Sequence, residues 1–400
     1  MKRYLALVLT ALLLAGCSPA SSPAESMPPP SPPPEEDQTV FKPVELPEPE
    51  PEPDPRQESI DGLLSSMTAE EKVGQLFFAC CPETGGAELA AEYHLGGYLL
   101  FKGNLKDRTP QQVQEELAAL RDAAGIPLLI GTDEEGGTVA RVSACPQLRE
   151  KRFSSPQKLY RQGGLEAILA DCREKDELLT SLGISVNFAP VADLSTDPKD
   201  FIYDRTLGLG TEETCAYITA VVDQMETDGM GSVLKHFPGY GNNSDTHTGS
   251  ALDERPLETF RAEDFLPFRA GIEAGGGTTA VLVSHNIVTS MDPDRPASLS
   301  PAVYQILRDE LGFDGPALTD DLSMKAVAKY AEEQEQSPAV LAIAAGCDMV
   351  VTADFKTQIP QILAALEDGT LTQERVDEAV SRVLGWKYDL GLIPREEQTP

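Results

Sequence analysis

The sequence predicts an α/β fold, a (β/α)8 TIM-like barrel in a single domain. Eight short apolar runs, bounded by Gly, Asp or Asn, alternate with helical stretches along the chain. Continuous apolar runs suit strands that are covered on both faces, and their alternation with helices indicates parallel β-α-β units. An open doubly wound sheet is the alternative, but no glycine-rich dinucleotide motif opens the first unit.

The apolar runs are short enough to be strands and too short to be separate helices. Each ends in a polar or glycine-containing segment, which is typical of a strand that leads into a loop. The runs cover residues 75–79, 97–101, 127–130, 185–189, 232–235, 280–284, 316–319 and 348–351.

Four helix starts can be located from their N-cap residues. A Ser or Thr followed by Pro, or by Glu or Gln three positions later, satisfies free backbone N–H groups at a helix start. Segments 68–71, 109–112, 155–156 and 300–301 have this pattern. The first segment precedes the first apolar run, and the other three lie between runs, as the barrel requires.

The first 17 residues are similar to the signal peptide of a bacterial lipoprotein. A basic start at residues 1–3 precedes an apolar run at 4–14, and Leu-Ala-Gly-Cys follows at 14–17. The resemblance implies that Cys17 is lipidated and anchors an exported protein to the extracytoplasmic side of the cell membrane. Ordinary secretion, with Cys17 incidental, is the alternative.

Residues 18–56 are dense in Pro, Ser and Glu and cannot bury apolar surface. We expect a disordered, extended linker between the anchor and a folded domain at 57–395. The whole chain of 400 residues has a net charge of -33, which argues against a nucleic-acid partner because phosphate binding needs clustered Lys and Arg. No protein partner is implied.

Six further cysteines follow Cys17, and an exported location permits disulfides. Their spacing matches no zinc pattern, so we interpret most of them as small buried apolar side chains. A redox-active pair at the adjacent Cys80 and Cys81 is the alternative. The six are Cys80, Cys81, Cys145, Cys172, Cys215 and Cys347.

Polar side chains follow the ends of five consecutive runs. In a barrel these ends meet on one face, where active sites are built. The residues are Asp133 after the third run, Asp193 after the fourth, Lys235 and His236 at the fifth, Ser284, His285 and Asn286 at the sixth, and Asp320 and Asp321 at the seventh. The sequence therefore predicts a polar site of mixed charge at the barrel mouth.

The residue types in this site favour glycoside chemistry. Carboxylates beside a histidine can supply a nucleophile and a proton donor. The four histidines form no metal-binding spacing, and no Gly-x-Ser-x-Gly sequence indicates acyl transfer. We therefore expect neither a metal nor another cofactor, and a carbohydrate as the substrate.

Four motifs in the correct order make the chain similar to glycoside hydrolase family 3, in its single-barrel β-N-acetylglucosaminidase branch. They lie at residues 133–139 (DEEGGTV), 187–194 (NFAPVADL, with Asp204-Arg205 beyond it), 235–239 (KHFPG) and 319–324 (TDDLSM). The resemblance extends over about residues 60–392 and implies one catalytic barrel domain.

The resemblance implies that Asp320 is the nucleophile and forms a covalent glycosyl-enzyme. The alternative is that Asp320, or its neighbour Asp321, caps a helix that starts near Leu322.

The resemblance also assigns the sugar-holding residues. It implies that they bind substrate hydroxyls, whereas a buried ion-pair network, with a hydrogen-bonded core histidine, is the alternative. These residues are Asp133, Arg205, Lys235 and His236.

The acid/base pair implied by the resemblance is His247 oriented by Asp245. An imidazole titrates near pH 6.5, and an adjacent carboxylate favours its proton-donating form. A polar loop residue beside an Asx turn is the alternative. His285 either lines the pocket or ends a strand, and His94 is interpreted as structural.

Four positions depart from the family pattern. Tyr240 and Asn242 stand where the family has His-Gly-Asp, Thr138 replaces arginine, and Glu134 replaces glutamine. These changes concern the loop conformation and recognition of the second sugar.

The predicted function is a retaining exo-β-N-acetylglucosaminidase (β-N-acetylhexosaminidase) that removes terminal β-linked GlcNAc, with cell-wall fragments as its natural substrate. Three alternatives remain open. A β-glucosidase of this family generally takes a carboxylate acid/base from a second domain, and nothing beyond about Leu392 could supply one. A β-GlcNAc phosphorylase also uses histidine, and a non-catalytic glycan-binding lipoprotein is the third.

Overall fold

All eight apolar runs form strands of one closed parallel barrel. The computed structural model describes residues 54–243 and 251–394. Within them the barrel strands neighbour one another in the order β1-β10-β9-β7-β5-β4-β3-β2. The predicted barrel is confirmed, and the open doubly wound sheet is excluded because the sheet has no edge. The strands are β1 (Phe77–Cys80), β2 (Gly97–Leu100), β3 (Leu129–Thr132), β4 (Val186–Asn187), β5 (Gly231–Phe237), β6 (Leu252–Asp253), β7 (Thr279–Val283), β8 (Ile287–Val288), β9 (Ala317–Asp321) and β10 (Met349–Thr352).

Strands β6 and β8 form a separate two-stranded sheet. Both follow barrel strands along the chain, and they pair in parallel through Leu252 with Ile287 and Asp253 with Val288. This small sheet ties the chain after β5 to the chain after β7.

Helices follow most strands and cover the outside of the barrel. Short 3₁₀ turns occur at Tyr203–Arg205, Gly276–Thr278 and Ala297–Leu299, and a π turn at Ile306–Glu310. The helices are α1 (Pro55–Ser66), α2 (Ala69–Gln75), α3 (Gly86–Glu92), α4 (Lys102–Leu105), α5 (Pro110–Ala123), α6 (Pro156–Leu182), α7 (Thr211–Thr227), α8 (Leu257–Ala262), α9 (Phe265–Ala274), α10 (Pro301–Gln305), α11 (Lys325–Glu333), α12 (Pro338–Ala345), α13 (Phe355–Glu367) and α14 (Gln373–Asp389). No helix among the described residues is both long and apolar enough to cross a bilayer.

The four predicted helix starts are confirmed. Thr68 and Thr109 each form a capping box with the residue three positions later. Ser300 Oγ accepts a hydrogen bond from the backbone N–H of Val303 at the start of α10. Ser155 precedes α6 without a side-chain cap. The N-cap pattern therefore located helices even where its hydrogen bond is not made.

Helix α1 begins at Pro55, within the segment 18–56 that the sequence indicates as linker. Asp54 caps it by accepting a hydrogen bond from the backbone N–H of Arg56. The Arg56 guanidinium then makes a two-pronged ion pair with Asp389 of α14, with an Nη2–Oδ2 distance of 2.7 Å. The first helix of the described residues is thus fixed to α14 by an ion pair.

Large aromatic side chains fill the barrel interior. Phe78 and Phe188 meet edge to face, with ring centroids 5.0 Å apart. Trp386 of α14 packs against Phe78 and donates its indole N–H to the carbonyl of Thr278, which immediately precedes β7. Because Trp386 closes the amino-terminal end, where β7 begins, the carboxyl ends of the strands form the open mouth.

The six cysteines within the described residues are free. Cys145, Cys172 and Cys347 are buried, and the other three are half-buried. Burial raises the pKa of both Cys80 and Cys81 to about 12, so these thiols stay protonated near neutral pH. That protonation state disfavours the redox-active interpretation of the pair.

Candidate active site

A cleft of about 720 Å³ opens at the carboxyl ends of the barrel strands. Its floor is polar and its walls carry both charged and aromatic side chains. It brings together all four of the predicted sugar-holding residues and the predicted nucleophile. The lining residues that carry charge are Asp133, Arg141, Asp204, Arg205, Lys235, Asp320 and Asp321, with His236 beside them.

Lys235 lies at the centre of an ion-pair network. Its Nζ donates to Asp133 Oδ1 and contacts Glu135 Oε1, both at 2.7 Å. Glu135 in turn accepts two hydrogen bonds from Arg205, at 3.0 Å from Nε and 2.8 Å from Nη2. Lys235 and Glu135 are almost fully buried, whereas Asp133 and Arg205 are half-buried.

This network keeps Glu135 and Lys235 charged. Burial favours the neutral form of Glu135, but Arg205 and Lys235 outweigh it and hold the pKa of Glu135 far below its usual range. Burial likewise opposes the charge on Lys235, and Asp133 and Glu135 reverse that effect, so the pKa of Lys235 is raised. Sugar binding and a buried ion-pair network were the two interpretations of these residues. They are compatible, because the same side chains form the network and line the cleft.

His236 is held in one neutral tautomer by its partners. Arg205 Nη2 can only donate, so His236 Nε2, 3.1 Å away, must accept. Nδ1 then carries the proton and donates to Asp193 Oδ2 at 2.6 Å. The same carboxylate oxygen accepts the backbone N–H of His236 at 3.1 Å. Asp193, fully buried, thereby orients the imidazole at the cleft.

Asp320 is placed in the cleft by the last residues of β9 and is half-buried. Its Oδ1 accepts the backbone N–H of Asp321 at 2.9 Å. Burial alone raises the pKa of a carboxyl group, but His285, the backbone N–H of Asp321 and Lys235 favour the charged form, so the pKa of Asp320 lies below its usual value. An ionised carboxylate is what a nucleophile requires.

The alternative that Asp320 or Asp321 caps a helix near Leu322 is wrong. Helix α11 starts at Lys325, and Met324 is its N-cap. Asp321 Oδ1 instead accepts the backbone N–H of Ser323 at 2.9 Å, which closes a turn before the helix. The strand continues through Asp321 because that residue still pairs with the neighbouring strand β10.

His285 lies two residues after the end of strand β7 and is fully buried. Its Nε2 donates to the carbonyl of Asp321 at 3.0 Å, and its Nδ1 lies 2.7 Å from Ser298 Oγ. It is absent from the residues that line the cleft. His285 therefore supports the strand end that carries Asp320 without lining the cleft itself.

The predicted acid/base pair, Asp245 and His247, lies outside the described residues, as does Cys17. The described chain on either side of the pair is anchored near the mouth. Asn243 Nδ2 donates to Asp253 Oδ2 at 2.7 Å and to the carbonyl of Tyr240 at 2.9 Å. Asp253 is held by Arg255, with a closest distance of 2.8 Å.

Sequence reasoning missed two residues of the site. Glu135 links Arg205 to Lys235, and Arg141 lines the cleft with its Nη2 3.4 Å from Asp133 Oδ2. Both belong to the segment that follows β3, and the DEEGG motif was the available signal for Glu135. Arg141 lies two residues beyond the longer motif DEEGGTV at 133–139, and the sequence spacing gives no indication that it reaches the cleft.

Glu134, a departure from the family pattern, has a structural role. Its side chain is fully buried, and its Oε2 accepts the backbone N–H groups of Arg141, Val142 and Ser143. Its own backbone N–H donates to Asn187 Oδ1 at 2.9 Å. Glu134 therefore folds the segment that brings Arg141 back to the cleft.

Comparison with known proteins agrees with this geometry. Residues 68–385 match the glycosyl hydrolase family 3 N terminal domain. A beta-hexosaminidase of Xanthomonas campestris pv. campestris (strain B100) is 34% identical over 327 residues, which cover 77% of this chain and 94% of that protein.

Solved structures resemble the barrel as well. A glycoside hydrolase family 3 beta-N-acetylglucosaminidase from Paenibacillus sp. str. FPU-7 superimposes with a TM-score of 0.74 at 31% identity. The match covers 82% of this chain and 63% of that one, so this chain spans less than two thirds of the Paenibacillus protein. A beta-N-acetylhexosaminidase from Beutenbergia cavernae DSM 12333 gives 0.70 at 27% identity, covering 81% and 99% of the two chains.

Proposed function

This chain belongs to glycosyl hydrolase family 3, and on that premise we propose that it is a retaining exo-β-N-acetylglucosaminidase. The observation that carries the proposal is an ionised Asp320 in the same cleft as Asp133, Lys235, Arg205 and His236. The beta-hexosaminidase and beta-N-acetylglucosaminidase relatives support GlcNAc as the sugar that is released. Cell-wall fragments are the natural source that we propose.

The substrate-holding residues act through their charges and fixed positions. Asp133 offers carboxylate oxygens to sugar hydroxyls, while Lys235 and Arg205 offer N–H donors. Since these side chains already bind one another at 2.7–3.0 Å, they are positioned before the sugar arrives. A hydroxyl that joins this network receives charge-assisted hydrogen bonds, which are stronger than neutral ones.

The first chemical step forms a covalent intermediate. A carboxylate oxygen of Asp320 bonds to the anomeric carbon as the bond from that carbon to the leaving oxygen breaks. The leaving oxygen takes a proton from His247, and the neutral alcohol departs. Asp320 begins this step charged, because its pKa lies below its usual value.

The second step returns the enzyme to its starting state. A water molecule gives a proton to His247 and bonds to the anomeric carbon, while the bond from that carbon to Asp320 breaks. Two inversions leave the released GlcNAc in the β configuration. The role of His247 rests on the family motif Asp245-Thr246-His247.

The experiment that tests this function is hydrolysis of an aryl β-N-acetylglucosaminide by the full chain, compared with the matching aryl β-glucoside. We expect turnover of the first to exceed turnover of the second by about 100-fold or more, because a site that hydrogen-bonds a substrate group rejects an analogue that lacks the group. Equal rates on the two substrates would contradict the proposal. Glycan binding without any turnover would establish the non-catalytic alternative.

The same assay separates hydrolase from phosphorylase. Product is collected with and without inorganic phosphate at millimolar concentration. A hydrolase releases free GlcNAc at the same rate in both, whereas a phosphorylase produces GlcNAc 1-phosphate and accelerates with phosphate. We expect the first result.

We further propose that Cys17 carries the lipid anchor and that residues 18–56 act as a spacer. The basic start, the apolar run and the small residues before Cys17 support this location outside the cytoplasmic membrane. Labelling cells with a radioactive fatty acid is expected to mark the wild-type protein and not Cys17→Ala. Equal labelling of the two would exclude Cys17 as the acylated residue.

A further inference from the structure

Phe201 is an exposed aromatic side chain on the wall of the active-site cleft. Its exposed fraction is 42%, and within residues 54–243 and 251–394 only Leu252 is another large apolar side chain classed as exposed. Phe201 lines the cleft, and Leu252 does not. Nearly all large apolar side chains of the described residues are shielded from solvent, so an exposed phenylalanine on the cleft wall indicates a binding role.

Phe201 is the outer end of a row of three rings. Its ring centroid lies 5.7 Å from that of Tyr240, and the Tyr240 centroid lies 5.6 Å from that of His236. His236 belongs to the charged network at the cleft floor. The row therefore leads outward from the proposed GlcNAc-binding residues to the exposed ring of Phe201.

The row is held rigidly by its neighbours. Asp193 fixes its inner part, because one carboxylate oxygen accepts the N–H of Tyr240 at 2.7 Å and the other binds His236. Phe201 is flanked by Ile202, which is fully buried, and by Asp200, whose Oδ2 accepts the hydroxyl of Ser195 at 2.7 Å. The Phe201 side chain has only two rotatable bonds and extends from this anchored backbone, so it loses little conformational entropy when it binds a ligand.

A sugar ring is the ligand that fits an aromatic platform at this place. In a β-linked pyranose of gluco configuration, such as GlcNAc, the ring substituents are equatorial, so the axial C–H groups make both faces of the ring apolar. Such a face packs on the negative π-surface of an aromatic ring, with weak C–H contacts in addition to apolar burial. The hydroxyls at the ring edge remain free for water or for Asp204, the charged neighbour on the same wall.

We propose that Phe201, supported by Tyr240, binds the leaving-group sugar of the substrate by stacking on its ring face, an inference that rests on the proposed function. The site thereby prefers a glycan whose terminal GlcNAc is attached to a second pyranose over substrates with a small leaving group. Tyr240, where the family pattern has histidine, supplies the ring that joins Phe201 to the cleft floor. Phe201 is thus a specificity-determining residue for the second sugar.

The test compares two substrates that differ only in the leaving group. One is GlcNAc-β-1,4-GlcNAc, whose leaving group is a pyranose, and the other is β-GlcNAc fluoride, whose leaving group cannot stack. We measure kcat/KM on both and take the ratio, disaccharide over fluoride. Phe201→Ala is expected to lower this ratio about tenfold, equivalent to about 1.4 kcal/mol, while Phe201→Trp keeps it within about threefold of wild type.

Leu252→Ala is the matched control, since it removes the other exposed large apolar side chain and leaves the cleft wall intact. Its ratio is expected to equal that of the wild type. A ratio in Phe201→Ala that matches wild type, or an equal fall in Leu252→Ala, overturns the stacking role and leaves the proposed function standing. If the wild type cleaves neither substrate, the stacking role and the proposed function are both overturned.

Discussion

Replacing Asp320 with asparagine is expected to lower kcat/KM for an aryl β-N-acetylglucosaminide by about 1,000-fold or more. The amide is isosteric with the carboxylate but cannot form the glycosyl-enzyme, so the two-step route is lost. The backbone N–H of Asp321 can still donate to the carbonyl oxygen of the introduced amide, as it does to Asp320 Oδ1 at 2.9 Å. The fold should therefore survive, and circular dichroism of the variant checks this.

Asp314→Asn is the matched control for that substitution, because Asp314 is an exposed carboxylate in the loop before the same strand. Its activity should stay within about twofold of wild type. An Asp320→Asn enzyme with more than about a tenth of wild-type activity would exclude Asp320 as the nucleophile. Mass spectrometry after reaction with a 5-fluoro glycosyl fluoride provides a direct readout, since only the wild type should gain the mass of one sugar.

The same residue sets an expectation for pH. Asp320 acts as the carboxylate, and its pKa is lowered relative to the ordinary value of 3.8. Its ionised form is therefore complete above about pH 5 and is lost only as the pH falls through that depressed pKa. Any acid limb of the kcat/KM profile above pH 5 must consequently arise from another group.

Replacing Lys235 with methionine is the second change for which we expect a large effect. The ammonium contacts both Asp133 and Glu135 at 2.7 Å, in a position that is 2% exposed. Methionine has a similar length but no charge, so it leaves these two carboxylates without their shared partner. Breaking a buried ion pair from one side costs about 3–5 kcal/mol, and the remaining contacts to Arg205 and Arg141 place our expectation near the lower end, at about 3 kcal/mol.

Catalysis should fall together with stability in this variant. Asp133 loses the group that holds it beside the sugar, so we expect kcat/KM to drop by about 100-fold. Urea unfolding measures the loss of stability. Steady-state kinetics at a temperature where the variant is folded measures the loss of catalysis. Lys329→Met is the control, since Lys329 is an exposed lysine on α11 and should change neither quantity noticeably. A Lys235→Met enzyme with wild-type stability and activity would mean that the network contributes nothing to the site.

The strands were predictable because a strand covered on both faces is a continuous apolar run. Segments 232–235 and 280–284 overlap β5 and β7 closely. The errors were at the ends, where a polar residue still belongs to the strand. Strand β9 extends through Asp320 to Asp321 because Asp321 pairs with Val351 of the neighbouring strand β10, a contact that local sequence does not encode.

The site was predictable where a motif carried it. Asp133, Lys235, His236 and Asp320 each follow or end an apolar run, and the structure brings all four to one cleft. The contacts that connect these residues were not predictable from the sequence. Glu135 as the bridge from Arg205 to Lys235, and Arg141 as a wall of the cleft, arise from the path of the chain after β3, which hydrogen bonds to the buried Glu134 determine.

Local patterns thus determined which residue types follow which strand, since apolar runs, N-caps and short motifs are properties of neighbouring residues. Tertiary structure alone decided which of them meet. Lys235 and Asp133 are 102 positions apart in sequence and 2.7 Å apart in space, because closing eight parallel strands brings their carboxyl ends to one mouth. Phe201 gave no signal in the sequence, and only its place on the cleft wall beside Tyr240 makes it a candidate for binding a second sugar.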